Sequence, residues 1–197
     1  MAAMPMPEEP SFIREDLREA FAALEVLPGM RAELIDGEII VSPTPDGKHE
    51  TIVVAIDTWV RKIHDLMLHR NLTLISPEGE YVPDGIAAPE GTFDDREWHS
   101  KPDGVLMVLE VTSGRRGDHK GAERDRGPKR RGYAAADIPL YLLIDRLDGK
   151  ATIFSEPRGN DYSHSSSVTL GEDLLMPEPL EGVLPTGKFR SHSPMSP

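Results

Sequence analysis

Two nearly continuous apolar runs, "GVLMVLEVTS" at 104–113 and "PLYLLID" at 139–145, constrain this chain more than any other feature. Runs of this kind suit strands covered on both faces at the centre of a sheet, not surface strands of alternating polarity. Between them, residues from about 124 to 136 predict a helix, with Pro128 tolerable only in its first turn. Strand, crossover helix and strand in that order predict a parallel pair. The expected fold is α/β (α+β): a central mixed β-sheet flanked by α-helices, with an N-terminal helix and a β-hairpin at one side.

The remaining segments fit around that pair. Ser11 can cap a helix in which Phe12, Leu17, Phe21 and Leu24 recur at helical spacing, and Pro28-Gly29 stops it. The stretch "RAELIDGEIIVSP" places two β-prone arms around Asp36-Gly37, a dipeptide suited to a tight hairpin turn. From about Lys48 to Leu68, an apolar stripe of Ile52, Ile56, Trp59, Val60, Ile63 and Met67 predicts the longest helix. Short strands are expected at "LTLIS" and "EYVPDGIAA", the second bent at Pro83, followed by a polar loop, "GTFDDREWHSKPD". Two more are expected at "ATIFSE" and "SSSVTL". Residues 1–10 read as a flexible N-terminus, 11–190 as a single domain, and 191–197 as a disordered tail too polar to bury itself.

Composition narrows the function classes. The chain has 197 residues, no cysteine and no apolar run near the roughly 18 residues of a membrane span. With no recognisable secretory signal either, a cytoplasmic protein is expected. A formal charge of −12 argues against indiscriminate coating of nucleic acid. The local balance differs: from Arg115 to Arg131 there are eight Lys or Arg and three Asp or Glu, a surplus of five positive charges. That run can be a solvated surface, or it can attract something negative.

Nucleophile elbows, phosphate-binding Gly-rich loops and Cys/His zinc sets are missing. What remains is carboxylates on or beside strands. Glu110 sits inside "MVLEVT", and a buried carboxylate without a partner costs several kcal/mol. The partner is either a Lys or Arg in a structural salt bridge or a metal ion. Asp84, in "YVPDG", is the second candidate, and Mg²⁺ commonly uses one or two carboxylates. Lys129, nineteen residues beyond Glu110, is a candidate third member, since a lysine near a scissile phosphate stabilises developing charge. Glu33 and His49 are weaker candidates converging from the hairpin and the long helix. Asp103 also follows a proline, but seven extended residues at about 3.3 Å each put it more than 20 Å from Glu110.

The succession "AELIDGEIIVSP", "KHE", "YVPDGIAAP", "VLEVTS" and "ERDRGPKRRGYAAADIPLYLLID" resembles the "putative restriction endonuclease" family of the PD-(D/E)XK nuclease superfamily, over about Phe12 to Phe189. The resemblance implies a restriction-endonuclease-like core and a metal-dependent endonuclease acting on DNA. Asp84 and Glu110 would hold Mg²⁺ or Mn²⁺, with Lys129, Glu33 and His49 completing the catalytic set. The superfamily's lysine usually lies two residues after the strand glutamate, where this chain has Thr112, so the lysine role is assigned to Lys129 on the following helix. Arg115, Arg116, Arg124, Arg126, Arg130 and Arg131 would contact the DNA backbone. Cutting both strands with one site per chain would favour a homodimer. The alternative is a module that keeps the fold without catalysis and binds nucleic acid or a protein partner.

Overall fold

The computed structural model describes residues 15–94, 99–100, 102–113 and 119–190. The expected Ser11 cap, both termini and the arginines Arg115 and Arg116 lie outside these residues.

Helix α1 (Glu15–Ala22) is followed by the hairpin of β1 (Met30–Ile35) and β2 (Glu38–Pro43). Asp36 and Gly37 both take positive φ, 48° and 75°, which matches the turn to the twist of the two strands. Helix α2 (Gly47–His64) starts where Asp46 accepts a hydrogen bond from His49 N at 2.8 Å. It ends earlier than the periodicity predicts. Asp65 turns left-handed at φ 52° and closes the helix on Arg61 O; Ile63 is therefore exposed, and Met67 belongs to strand β3 (Met67–His69).

Strands β4 (Thr73–Ser76) and β5 (Gly79–Tyr81) pair with each other, and β5 also pairs with β1. The "EYVPDGIAA" segment is not one bent strand. It leaves the first sheet at Tyr81, turns through Pro83-Asp84 and enters a second sheet as β6 (Gly85–Ala88). The polar loop holds a short strand, β7 (His99–Ser100), parallel to β4. The first sheet runs β2-β1-β5-β4-β7.

The second, mixed sheet contains β8 (Met107–Val111), β9 (Leu140–Asp145) and the long hairpin β10 (Lys150–Arg158) and β11 (Asp161–Thr169). Its order is β11-β10-β9-β8-β6-β3. Strands β8 and β9 are parallel, with Glu110 level with Leu143, and every residue of both is buried. Their two-residue alternation divides the interior. Met107, Leu109, Val111, Leu140, Leu142 and Ile144 pack with the apolar face of α2. Val108, Tyr141 and Leu143 pack on the other side with Ile35, Tyr81 and Tyr133. Glu110, in phase with Val108, faces this second side.

The crossover consists of α3 (His119–Arg124), a π-helical turn (Asp125–Lys129) and α4 (Arg130–Ala135). The helix thus begins before residue 124, and Pro128 lies in its middle. A widened turn accommodates a residue with no amide hydrogen to donate and a ring that crowds the preceding turn. The α4 backbone then packs on Tyr81, where a Cβ on Gly132 would overlap the tyrosine ring. A small ribbon of β12 (Asp173–Met176) and β13 (Gly182–Pro185) closes the far side, with Trp59 Nε1 donating to Val183 O at 2.8 Å. Among the described residues, no helix is long and apolar enough to cross a membrane.

Candidate functional site: a buried carboxylate and lysine cluster at the foot of a cleft

Five chain segments converge where the two sheets meet. β1 contributes Arg31 and Glu33, which share one side of the strand because they are two residues apart. The first turn of α2 supplies His49. The crossing between the sheets supplies Asp84, while β8 and the π turn supply Glu110, Asp125 and Lys129.

Lys129 is at the centre. Its Nζ lies 2.8 Å from Glu33 Oε1, 3.0 Å from Glu110 Oε1 and 3.5 Å from Asp125 Oδ1. Tyr133, one helical turn beyond Lys129, donates to the same Glu110 oxygen at 2.5 Å. Glu33 Oε1 also accepts from Val82 N at 3.0 Å, which ties it to the crossing segment. Asp84 has three donors: Arg31 Nη1 at 2.9 Å on Oδ1, and His49 Nε2 at 2.8 Å and Val111 N at 2.9 Å on Oδ2. The five residues singled out from the sequence, Glu33, His49, Asp84, Glu110 and Lys129, are all buried and belong to one network.

Charge in this network is unevenly matched. Four carboxylates, Glu33, Asp84, Glu110 and Asp125, meet two cations, Arg31 and Lys129. Burial opposes ionisation of Asp84, but the His49 hydrogen bond and the Arg31 and Lys129 charges outweigh it and hold the carboxyl well below the usual range. Burial pushes Glu110 well up; Lys129 pulls against it, and Asp125, Asp84 and Glu33 add to it. Burial likewise pushes Asp125 up to about 6 despite Lys129. Lys129 pays the desolvation cost of an ammonium in the interior, yet its three carboxylates keep it charged and raise it above an ordinary lysine.

A cleft of about 530 Å³ opens above the cluster, and its walls include Arg31, Glu33, His49, Arg124, Lys129 and Arg146. Asp84 and Glu110 do not line it; each is bonded to a residue that does. Arg146 is anchored by Asp46 at 3.1 Å, and its backbone N donates to Thr112 Oγ1 at 2.8 Å. Thr112 therefore ties the end of β8 to the end of β9, and the lysine that meets Glu110 comes from the helix.

Among the described residues of the basic run, three arginines already have acidic partners. Arg126 is paired with Asp145 at 2.6 Å and Asp148 at 3.0 Å, Arg130 with Asp161 at 3.0 Å, and Arg131 with Asp36 at 2.8 Å. Arg124 lines the cleft and has no ion pair or side-chain hydrogen bond among the described residues. Asp103 is exposed in the loop before β8.

Sequence reasoning passed over Arg31, Asp125, Tyr133 and Arg146. Three carried a readable signal: Arg31 stands two before Glu33, Asp125 four before Lys129, and Tyr133 four after it. Arg146 carried none, because the chain return that brings it to Asp46 is tertiary.

Among the described residues, no group of three or more His, Cys, Asp or Glu side chains is arranged to hold a metal ion as it stands. The donor chemistry nevertheless fits a hard divalent cation, which takes carboxylate oxygens and would balance the surplus of buried negative charge.

A search of curated proteins gives no match. Among solved structures, the fold resembles a protein described as "a putative nuclease belonging to DUF820" from Anabaena variabilis ATCC 29413. The TM-score is 0.61 at 18% identity, covering 88% of this chain and 96% of the other. A family model described as "Uma2: Putative restriction endonuclease" matches residues 18–185, nearly the whole described chain. With the crossover, the sheet arrangement and this match in agreement, the chain belongs to the Uma2 family.

Proposed function

We propose that the protein is a metal-dependent endonuclease that hydrolyses DNA phosphodiester bonds, with Mg²⁺ or Mn²⁺ held by Asp84 and Glu110. The observation that carries this reading is the excess of buried carboxylate over cation at the foot of an arginine-lined cleft. A divalent ion held there would supply Lewis-acid chemistry, polarising a phosphate and lowering the pKa of a water.

The chain's own residues supply the rest. Lys129, kept charged by its carboxylates, faces the cleft and stabilises the negative charge that develops on the phosphate. Glu33 and Glu110 both hold Lys129, and His49 fixes the orientation of Asp84. Arg124 and Arg146, on the cleft wall, hold the nucleic-acid backbone without reading its sequence.

One observation favours a second reading, a nuclease-fold module that binds nucleic acid or a protein without cutting: Asp84 already has three donors. Incubating the purified protein with plasmid DNA, and with single-stranded DNA and RNA, in Mg²⁺ or Mn²⁺ separates the two. Cleavage that disappears with EDTA and in Glu110→Gln supports the nuclease. Absence of cleavage in either metal, or cleavage unchanged by Glu110→Gln, removes it.

A further inference from the structure

We propose that Arg31 is an exchangeable cation. It neutralises Asp84 in the metal-free protein and transfers to a phosphate of the substrate when a divalent ion takes Asp84, so that metal and nucleic acid bind cooperatively. This rests on the nuclease reading and adds to it a residue and a coupling.

The three donors on Asp84 are not equivalent. Val111 N is backbone in a central strand, and His49 is buried on a helix whose first turn is capped by Asp46. The amide cannot leave without breaking the strand, and the short imidazole, 5% exposed, has less room to swing away than an arginine. Arg31 reaches Asp84 from the cleft wall on a long side chain that is 29% exposed. It is also the partner of Oδ1, whereas the two fixed donors share Oδ2. An ion that takes Asp84 Oδ1 therefore competes directly with Arg31, the donor on that oxygen.

Arg31 is poorly satisfied where it stands. Its buried Nε has no hydrogen-bond partner, and the nearest Glu33 oxygen is 4.0 Å away. A guanidinium can present two parallel N–H groups to a phosphate, a geometry that the one-point contact with Asp84 leaves unused. The same cavity contains Arg124, which has no partner among the described residues. Two guanidinium groups with unused donors thus border one cleft, beside Arg146, which Asp46 holds. The ligand chemistry that suits them is a phosphodiester backbone.

Displacing Arg31 from Asp84 with no phosphate present would strand a cation at the cleft wall. Each ligand consequently removes a cost of binding the other, and linkage requires the enhancement to be the same in both directions.

Calorimetric titration of the full chain with Ca²⁺, used so that no cleavage occurs, tests this with and without a short single-stranded oligodeoxynucleotide. The oligonucleotide should raise wild-type Ca²⁺ affinity by about 5- to 150-fold, the usual range of such couplings. Arg31→Met should bind Ca²⁺ alone at least as tightly as wild type, because a competitor is gone, and should lose the enhancement. Arg31→Lys keeps the charge and guards against a folding defect; it should retain wild-type Ca²⁺ affinity with reduced coupling. Arg124→Ala should weaken oligonucleotide binding while leaving Ca²⁺ affinity without oligonucleotide unchanged. Weaker Ca²⁺ binding by both Arg31 variants, or full coupling retained in Arg31→Met, would overturn the proposal and leave the nuclease reading standing. Absence of Ca²⁺, Mg²⁺ and Mn²⁺ binding by the wild type, with the oligonucleotide as well as without it, would remove both.

Discussion

Lys129 Nζ stands 3.0 Å from Glu110 Oε1, nineteen residues away in sequence and on the crossover that joins two parallel strands. The lysine is the main cation of a cluster with more carboxylates than it can neutralise, so its removal and the removal of one carboxylate should have unequal consequences.

Lys129→Met leaves Glu33, Glu110 and Asp125 facing one another without their shared cation. Loss of one partner from a buried ion pair typically costs about 3–5 kcal/mol. Glu110→Gln instead replaces a carboxyl that burial already pushes toward its neutral form, and should lie within about 1 kcal/mol of wild type, in the range of an ordinary hydrogen-bond change. Urea unfolding of the two variants checks the contrast; equal losses would contradict the charge count.

The pH dependence follows from Asp125. Its carboxyl binds a proton more tightly in the folded state, about 6 against an ordinary value of 3.8. The folded state therefore holds the extra proton between these values, and this contribution falls as pH rises from about 3.8 to 6. Asp84 is shifted the other way, so its contribution is complete above 3.8 and is lost as the solution becomes more acidic. Stability measured from pH 4 to 7 should decline less steeply in Asp125→Asn than in wild type.

Divalent metal should stabilise the fold through the same cluster. At a free Mg²⁺ or Mn²⁺ concentration about 100 times its Kd, the gain should be about 2.7 kcal/mol. Thermal unfolding with metal, and after EDTA, measures it. Glu110→Gln should show little or no gain.

The arginines should separate by position. Arg124→Ala should reduce the salt dependence of nucleic-acid binding by about one phosphate contact, a change of about 0.9 in the log–log slope for duplex DNA. Neutralising Arg126, Arg130 or Arg131, each already paired with an aspartate, should change that slope less. Binding titrations at several salt concentrations distinguish the groups.

The packing of the crossover helix on the first sheet gives a prediction independent of charge. Gly132→Ala pushes a methyl group into the Tyr81 ring and should destabilise the protein by about 1–3 kcal/mol. Tyr81→Phe leaves that overlap in place, so it should not rescue the alanine variant.

Local information in the chain was enough for the elements whose physics is local. The apolar runs around Val108 and Leu142 could only be central strands, and Asp36-Gly37 could only close a tight turn. Glu110 stood out because a carboxylate in such a strand must find a partner. Periodicity misled where a short-range signal outweighed it: Asp65 ended α2 before Ile63 and Met67 could join its buried face, and the π turn kept Pro128 inside a helix.

The site's composition depended on tertiary structure, because ion pairs form between side chains brought together by sheet pairing rather than by spacing. Crossing between sheets at Pro83-Asp84 gave Asp84 its partners Arg31, His49 and Val111. Chain return after β9 brought Arg146 to Asp46, and distant aspartates neutralised Arg126, Arg130 and Arg131 while Arg124 stayed unpaired among the described residues. The sequence by itself determined that a costly carboxylate lay in a central strand beside a basic segment. Only the tertiary structure decided which of those charges face one another, because Coulomb energy depends on distance in space and not on separation along the chain.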